Sequence, residues 1–381
     1  MGQVLKAAFL FAGTIIGAGV LALPSVIAET GLIYGTAIIF GVGALIALAA
    51  LMFGEVVLRT RGVHQLPGLA RKYAGKRASQ MAVIFSILGI YGGLIAYIHG
   101  SALVINQFFG LSPFLAKLIF FVPVTFVTYY GIKGVEESEG FLTGLLVLCL
   151  LAMSAGALFF YNPSNVTTGS IANILLPIGV LVFALEGLPA IPQMNEILSR
   201  EKKGLKKSII IGISIPILLY ALFCFASIGA LGTNVGEVAT MGLAEYGRAF
   251  YLLGGIFALL AMSTGFISFS NAVAETYSKD LKINRKLSWA LACFVPLIAL
   301  FASNIILPSL DFATLIAYTG VLFTGPYYLI VIYTFYKARQ LGGDRKPEYE
   351  LRIPSYLTGM MMLVFLAFSM WAFWTTLSPL I

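Results

Sequence analysis

Eleven runs of apolar residues, each roughly twenty residues long, follow one another along this chain. A bilayer requires helices of that length, and a chain that is 59% hydrophobic and only 10% charged has too few polar residues to cover a globular surface. The sequence therefore predicts an all-α protein that crosses a membrane repeatedly. The predicted spans are 5–29, 33–58, 80–109, 113–131, 140–161, 173–197, 208–232, 248–277, 287–303, 312–336 and 354–377.

The distribution of positive charge predicts the topology. With a cytoplasmic N-terminus, 22 of the 24 Lys and Arg residues lie on the cytoplasmic side, and only Lys117 and Arg248 lie towards the other side. Because positive charge accumulates in cytoplasmic loops, we expect an integral protein of the cell membrane with its N-terminus inside and its C-terminus outside. The net charge of +8 then needs no nucleic-acid partner, since the basic residues fall between the apolar runs.

The first span contains helix-breaking residues at mid-depth, in the segment Phe11-Ala-Gly-Thr-Ile-Ile-Gly-Ala-Gly-Val-Leu-Ala-Leu-Pro24. Lipid offers no hydrogen bonds to an unwound backbone, so a break is tolerated only where protein or a water-filled cavity covers it. Transporters use the freed amides and carbonyls of such breaks to bind ligands, and the segment therefore predicts a transporter. The alternative is helix packing, because Gly13-x-x-x-Gly17 also fits a small-residue contact motif.

The sixth span is interrupted in the same way, by Glu186, Gly187, Pro189 and Pro192. Interrupted helices that lie five spans apart have opposite orientations, which is the result expected from an inverted five-plus-five repeat. We therefore predict one transporter domain that covers the whole chain. Its parts are repeat one at about 1–161, repeat two at about 173–336 and an eleventh helix at about 354–377.

The two interrupted segments carry a family resemblance. Gly13-Thr-Ile-Ile-Gly-Ala-Gly-Val-Leu-Ala-Leu-Pro24 resembles the first span of the hydroxy and aromatic amino acid permeases, which belong with the amino acid/auxin permeases to the amino acid–polyamine–organocation superfamily. Phe183-Ala-Leu-Glu-Gly187 is similar to span six of the proton-coupled amino acid transporters of that group. The resemblance implies a leucine-transporter-like fold with broken helices 1 and 6, alternating access, and a neutral amino acid substrate that is aromatic or bulky aliphatic.

The zwitterion of an amino acid needs hydrogen-bond donors for its carboxylate and acceptors for its ammonium group. We expect the amides of Ala18 and Gly19, at the start of the outer half of span one, to bind the carboxylate. Free carbonyl groups near Ile15 and at Phe183 and Ala184 are expected to bind the ammonium group. The predicted substrate site comprises Ile15, Gly17, Ala18, Gly19, Phe183, Ala184 and Gly187.

The sequence leaves the coupling ion open between H+ and Na+, and it predicts no other cofactor. Glu186 would lie near the bilayer midplane, where a carboxylate is costly and usually functional, so its protonation would accompany transport. The alternative is a neutral Glu186 that caps the unwound backbone. Against Na+, Gly265 stands where sodium-coupled relatives often have a second hydroxyl. The Na+ site that the resemblance implies is formed by Gly13, Ile16, Ala261 and Thr264.

Three further features have two interpretations each. His99 is either a cavity or proton-relay residue or a packing residue. Glu55, at the inner end of span two, is expected to make interfacial or helix-bundle contacts, and the segment 62–79 is either a short interfacial helix or a solvated loop. The aromatic side chains that would wall a substrate pocket are Tyr91, Tyr97, Phe183 and Tyr318.

Other classes of function have little support in the sequence. The two histidines and the lack of HExxH and Gly-x-Ser-x-Gly segments argue against an enzyme, and a channel would more often show a repeated polar filter. The sequence predicts a secondary active transporter that imports neutral amino acids by cation symport, preferably with H+. A Na+ symporter, an amino acid exchanger and a transporter-like sensor stay as alternatives, and the oligomeric state is open.

Overall fold

The computed structural model describes residues 2–130, 133–166, 169–170, 173–199, 201–280, 282–306 and 311–377. Within these ranges the protein is all-helical and contains no strands. Among the predicted cytoplasmic cations, Arg200 lies outside the described residues.

The first predicted span is a broken helix. Helix α1 covers Gln3–Ile15, a 3-10 turn covers Ala18–Ala22, and helix α2 covers Leu23–Thr30, with the two halves of the span bent by 51°. The chain between the halves is extended, and Gly17 has φ −145° and ψ −161°. Pro24 follows in the first turn of α2, where its missing N–H is harmless. The break predicted from the glycines is confirmed.

The second predicted break is also confirmed. Helix α8 covers Leu175–Ala184 and helix α9 covers Ala190–Ile197, and the five residues between them are not helical. The helices between the two broken spans are α3 at Leu32–Arg59, α4 at Leu66–Tyr73, α5 at Lys76–Phe109, α6 at Pro113–Tyr130 and α7 at Lys133–Leu158, with a 3-10 turn at Pro163–Asn165.

Long helices also follow the second break. After a 3-10 turn at Lys202–Gly204, these are α10 at Leu205–Leu231, α11 at Ala239–Gly242 with a 3-10 turn at Leu243–Tyr246, α12 at Arg248–Glu275 with a π-helical end at Thr276–Asp280, α13 at Arg285–Ile306, α14 at Phe312–Thr319, a π-helical turn at Gly320–Thr324, α15 at Gly325–Leu341 and α16 at Ser355–Leu377.

Seven helical segments within the described ranges are long and apolar enough to cross a membrane, and the bent pair of α1 and α2 makes an eighth. Three shorter apolar helices, at Leu142–Leu158, Leu175–Ala184 and Ser355–Trp371, lie within the remaining predicted spans five, six and eleven. Each predicted span therefore coincides with an apolar helix or with a broken pair of helices.

Helices α10 and α14 hold the two broken spans. Helix α10 packs along α1, where a Cβ added to Gly212 would lie 2.7 Å from the Ala8 carbonyl oxygen. Helix α8 packs on α14 just as closely, since a Cβ on Gly179 would lie 2.5 Å from the Ala317 oxygen and one on Gly320 would lie 1.9 Å from the Gly179 oxygen. Glycine permits these backbone-to-backbone contacts, which fix where the breaks lie.

The short helix α4 forms within the segment 62–79, but its apolar face does not point to a membrane surface. Leu66 and Leu69 are fully buried, and the helix packs against α5 and α15. The Tyr73 hydroxyl makes a 2.9 Å hydrogen bond with the hydroxyl of Thr60 at the end of α3. The prediction of a helix is thus confirmed, while the prediction of an interfacial helix is wrong because the protein itself covers the apolar side chains.

Glu55 lies in an ion-pair cluster at the inner end of α3, as the expectation of a helix-bundle contact predicted. Its side chain is fully buried. Arg59 donates from Nε and Nη2 to Oε1 at 3.0 and 2.9 Å, and Arg339 of α15 donates to both carboxylate oxygens at 2.9 Å. The backbone N–H of Leu351 donates to Oε2 at 2.7 Å. The carboxylate therefore joins α3, α15 and the loop before α16.

Candidate functional site

The two breaks meet at the centre of the bundle. A Cβ added to Gly19 would lie 2.7 Å from Cβ and 2.8 Å from Cα of Ala184, so the 3-10 turn after the first break touches the end of α8 directly. Gly187, just past that end, is covered by Phe11 and Ile15 of α1. The residues that the sequence predicted as one site, from two distant segments, are therefore brought together.

Gly17 borders open space at this meeting point. A Cβ added there would have no described atom within 4 Å, whereas Ala18 and Gly19 beside it are buried. The 3-10 turn begins at Ala18, so the first amides of the outer half-helix have no acceptor within their own helix. The free amides of this turn therefore lie next to the open space beside Gly17, and an anionic group binds to such an arrangement of donors.

The carbonyl groups predicted to be free are already hydrogen-bonded. The hydroxyl of Tyr220, on α10, donates to the Ile15 oxygen at 2.9 Å and to the Ala184 oxygen at 3.2 Å, and the Phe183 oxygen accepts the Glu186 N–H at 3.1 Å. The expectation of unpaired carbonyls is thus wrong, because a buried polar group finds a partner within the protein. Each oxygen still has a second lone pair with which to accept a further hydrogen bond.

Glu186 lies in the second break with its carboxyl group in a partly paired state. Its Oε2 is buried and has no hydrogen-bond partner among the described residues. The hydroxyl of Tyr328, on α15, lies beside this carboxyl group and likewise has no hydrogen bond of normal geometry within the described chain. The unpaired oxygen of Glu186 and the Tyr328 hydroxyl therefore lie close to each other.

An aromatic cluster lies against the end of α8. The Tyr97 ring stacks on Phe269 at a centroid distance of 5.6 Å, and the Phe183 ring meets both edge-on at 6.2 Å. Tyr97 and Phe183 were predicted to wall a pocket, and Phe269 of α12 was missed. Tyr91 instead bonds the Tyr277 hydroxyl at 2.7 Å and the Leu291 oxygen at 3.1 Å, so it joins α5 to α13 away from the cluster.

The groups predicted for a Na+ site lie on two different elements. Gly13 is covered by Thr143 of α7, whose side chain would lie 2.9 Å from a Cβ added to the glycine, and α12 packs on the 3-10 turn after the break. Thr264 donates its hydroxyl proton along its own helix, to the oxygens of Leu260 at 2.9 Å and Ala261 at 3.2 Å. The lone pairs of that hydroxyl stay available to a cation. Ile16 ends the inner half, directly before Gly17.

His99 has a partner in the loop after α10. Its Nε2 lies 3.9 Å from Glu237 Oε2, and the same carboxylate oxygen accepts the Phe312 N–H at 3.1 Å. The nearby His99 side chain, together with the Phe312 N–H, holds the pKa of Glu237 below its usual value. His99 therefore links α5 to the loop before α11 and to the start of α14, although its Nδ1 is buried without a partner in the described chain.

A comparison with known proteins gives the family. The model of the tryptophan/tyrosine permease family matches residues 1–374. The chain belongs to the tryptophan/tyrosine permease family. The permease is 25% identical over 371 residues to tyrosine-specific transport system 1 of Haemophilus influenzae, with 89% of each chain covered. It is 24% identical over 336 residues to glutamine transporter 2 of Aliivibrio fischeri, with 83% of the permease and 84% of that protein covered.

Solved structures give the fold. The permease resembles MhsT in complex with L-phenylalanine at a TM-score of 0.66 and 16% identity, with 96% of the permease and 98% of MhsT covered. It resembles the Eremococcus coleocola manganese transporter at a TM-score of 0.69 and 14% identity, with 97% and 85% covered. The permease therefore has the leucine-transporter-like fold that the family resemblance implied. It is an integral membrane transporter of amino acids and not an enzyme.

Tyr220 is the main site residue that sequence reasoning missed. It lies in the long apolar helix α10, and its partners are 205 and 36 residues away in the chain. The one sequence signal for Tyr220 was a hydroxyl group in the middle of a predicted span, because such a hydroxyl needs a hydrogen-bond partner inside the membrane.

Proposed function

We propose that the permease is a secondary active transporter that imports neutral amino acids with aromatic or bulky aliphatic side chains, by H+ symport and alternating access. The observation that carries this proposal is the contact between Gly19 and Ala184, which brings donors from one broken helix and acceptors from the other to one point. We include in the proposal the division into two inverted repeats and membership of the amino acid–polyamine–organocation superfamily.

The substrate carboxylate is proposed to bind the amides of Ala18 and Gly19. They begin a helical run that continues into α2, so the positive end of its dipole points to the space beside Gly17. Gly17 itself supplies that space, because the extended chain has no side chain there. The sequence predicted this role for Ala18 and Gly19 and placed Gly17 in the same site.

The substrate ammonium group is proposed to bind the carbonyl oxygens at the end of α8, those of Phe183 and Ala184, with Ile15 nearby. These oxygens lie at the negative ends of α8 and α1, which attract a cation. Gly187 lets the second break approach α1 closely, since any side chain there would collide with Ile15. The ammonium group would share these oxygens with their present donors.

The side chain of the substrate is proposed to contact Tyr97, Phe183 and Phe269. The three rings form an apolar, polarisable wall without a charged residue, which favours a neutral side chain over a cationic or acidic one. The relatives are named for tyrosine and for glutamine, and both of these amino acids have neutral side chains. Glutamine therefore belongs among the substrates to be tested.

Glu186 is proposed to carry the coupling proton. A carboxylate with one oxygen unpaired in the membrane interior is costly, so uptake of a proton together with the substrate reduces that cost. Tyr328 would donate to the carboxylate or accept from the carboxylic acid, and it thereby serves both states. The second candidate is Na+ coupling at Gly13, Ile16, Ala261 and Thr264, which the available lone pairs of Thr264 favour.

The test is uptake of labelled tryptophan, tyrosine, leucine, alanine and glutamine into proteoliposomes, with an imposed pH gradient or an imposed Na+ gradient. We expect the pH gradient to drive accumulation. Glu186→Gln should abolish accumulation but keep counterflow of labelled substrate, while Glu245→Gln, on an exposed outer turn, should behave as the wild type. Accumulation driven only by Na+ would contradict H+ symport and would make Thr264→Val the next variant.

A further inference from the structure

Tyr220 connects the two broken helices through one oxygen atom. Its side chain is fully buried, and its hydroxyl donates to the carbonyl of Ile15 at 2.9 Å and to that of Ala184 at 3.2 Å. The amide of Gly17 lies next to the same hydroxyl. One phenol group thus meets the first break and the end of α8 from a third helix, α10.

The two carbonyl groups that accept the Tyr220 hydroxyl both belong to the last residue of a helix. Ile15 is the last residue of α1 and Ala184 is the last residue of α8, so both carbonyls are helix ends without a partner in their own helix. Both also lie at the negative ends of helix dipoles, which repel each other when they face one point. A shared proton between them offsets that repulsion and satisfies both oxygens away from water.

The ring of Tyr220 has little freedom to move. Helix α10 is in backbone contact with α1 at Gly212, two turns before Tyr220, and the side chains of Phe223 and Cys224 next to it are fully buried. The hydroxyl is therefore held by its own helix rather than by the two carbonyls alone. A fixed donor of this kind sets the distance between the two helix ends.

We propose that Tyr220 is a positioning residue for substrate binding. Its hydroxyl fixes the separation of the two helix ends, so that the amides of Ala18 and Gly19 and the carbonyls of α8 face one amino acid at the same time. Tyr220 acts through these backbone groups and not as the coupling group. This role rests on the proposed function, since it takes the two breaks as the substrate site.

The alternative is a tyrosine that only fills space, and the two roles differ in their consequences. Loss of the hydroxyl from a space-filling tyrosine lowers the amount of folded protein and leaves the apparent affinity of the folded fraction unchanged. Loss of it from a positioning residue frees both breaks together and raises KM, while the maximal rate per folded molecule changes little. The KM and the mobility of the two breaks therefore discriminate between the roles.

The experiment compares Tyr220→Phe with Tyr246→Phe in the full chain. Tyr246 also donates its hydroxyl to a carbonyl of α10, that of Ala230 at 2.6 Å, but it lies at the outer end of the helix and outside the site. Amide hydrogen exchange followed by mass spectrometry reports the peptides that contain 13–19 and 183–188. Proteoliposome uptake of tryptophan, tyrosine and glutamine, normalised to folded protein, gives KM and the maximal rate.

We expect exchange in both peptides to become faster in Tyr220→Phe, by about tenfold, and KM to rise by about tenfold, with the maximal rate within about twofold of wild type. Tyr246→Phe should change neither peptide and neither constant. Unchanged exchange, faster exchange in only one of the two peptides, or an unchanged KM would overturn the positioning role.

A second measurement covers the case in which Tyr220→Phe does not fold. In the wild type, the Tyr220 hydroxyl joins the two breaks, so we expect them to unfold locally together. The two peptides should then exchange at similar slow rates, and bound substrate should slow exchange in both by a similar factor. Independent rates would overturn the bridge. If the wild type takes up no amino acid, the proposed function fails and the positioning role fails with it, whereas the exchange data alone report whether the bridge exists.

Discussion

Three glycines near the first break have different surroundings, and the sequence alone does not distinguish them. Gly13 touches Thr143, Gly19 touches Ala184, and Gly17 faces open space. Gly17 and Gly19 were predicted to belong to the substrate site, and Gly13 to the Na+ site that the resemblance implies. At Gly19 the glycine is needed for contact between the breaks, and only at Gly17 does the absence of a side chain leave room for a ligand.

The first prediction follows from this difference. Gly17→Ala places a methyl group in the open space, in an extended conformation that any residue adopts, so the protein should fold normally and lose uptake. Gly19→Ala should destabilise the protein by about 1–3 kcal/mol, because the methyl group collides with Ala184. Thermal melting and tryptophan uptake measure the two effects. Gly41→Ala, which also points into open space but lies on α3, is the control for an added methyl group.

Normal uptake by folded Gly17→Ala protein would contradict the assignment of that space to the substrate. Gly19→Ala protein that melts at the wild-type temperature would contradict the close contact between the two breaks. Each outcome bears on a different feature, so the two variants are informative separately.

The second prediction concerns Glu237 and pH. The neighbouring His99 side chain and the Phe312 N–H lower the pKa of Glu237 in the folded protein, so the ionised carboxylate stabilises the fold. That contribution is present above the ordinary carboxyl value of 4.5 and is lost as the pH falls through the lowered value. Glu237→Gln should therefore melt below the wild type at pH 7, and the difference should shrink as the pH falls below 4.5. Glu245→Gln is the control. Equal melting temperatures of Glu237→Gln and the wild type at pH 7 would show that the ionised Glu237 carboxylate does not stabilise the fold.

At the scale of elements, the two broken helices were predictable and the π-helical turn was not. Glycine and proline inside an apolar run mark a break wherever the run occurs. In the turn at Gly320–Thr324, the carbonyl of Val321 accepts the hydroxyl of Ser369 from α16 at 2.9 Å. The residues of span ten do not indicate a hydrogen bond from Ser369. The residues of span seven likewise do not indicate which carbonyls accept the Tyr220 hydroxyl.

The site was predictable to the extent that backbone chemistry decides it. Amides and carbonyls freed at a break are present whatever the side chains are, so the segments around Gly19 and Ala184 were found from the helix-breaking residues and the family resemblance. Which partner satisfies each carbonyl depends on helices that pack from elsewhere in the chain. For this reason Tyr220 and Phe269 emerged only from the structure, and Tyr91 was misplaced in the pocket.

The third prediction concerns the ion-pair cluster that joins α3 to α15. Glu55→Gln removes the charge that balances Arg59 and Arg339 in a buried site, and it should destabilise the protein by about 3–5 kcal/mol. Glu350→Gln removes a half-exposed partner of the same Arg59 and should cost less than about 1 kcal/mol. Melting temperatures of the two variants in the same detergent give the comparison. Equal losses would show that burial of Glu55 does not matter.

At the scale of the whole molecule, the fourth prediction is the orientation in the membrane. Lys203 and Thr233 lie just outside the two ends of α10, and both are exposed. In a variant without the native cysteines, Thr233→Cys should react with an impermeant maleimide on intact cells, because that end is predicted to face outwards. Lys203→Cys should react only after permeabilisation. The reverse pattern would invert the topology.

The cluster around Glu55 also has a consequence for synthesis of the chain. Arg59 follows Glu55 by four residues, whereas Arg339 and the Leu351 amide lie 284 and 296 residues later. At about 5–20 residues per second, the ribosome reaches Arg339 roughly 15–60 s after Glu55. During that interval Arg339 and Leu351 have not yet been synthesised. Arg59 is then the partner available to pair with the Glu55 carboxylate until α15 and the loop before α16 are made.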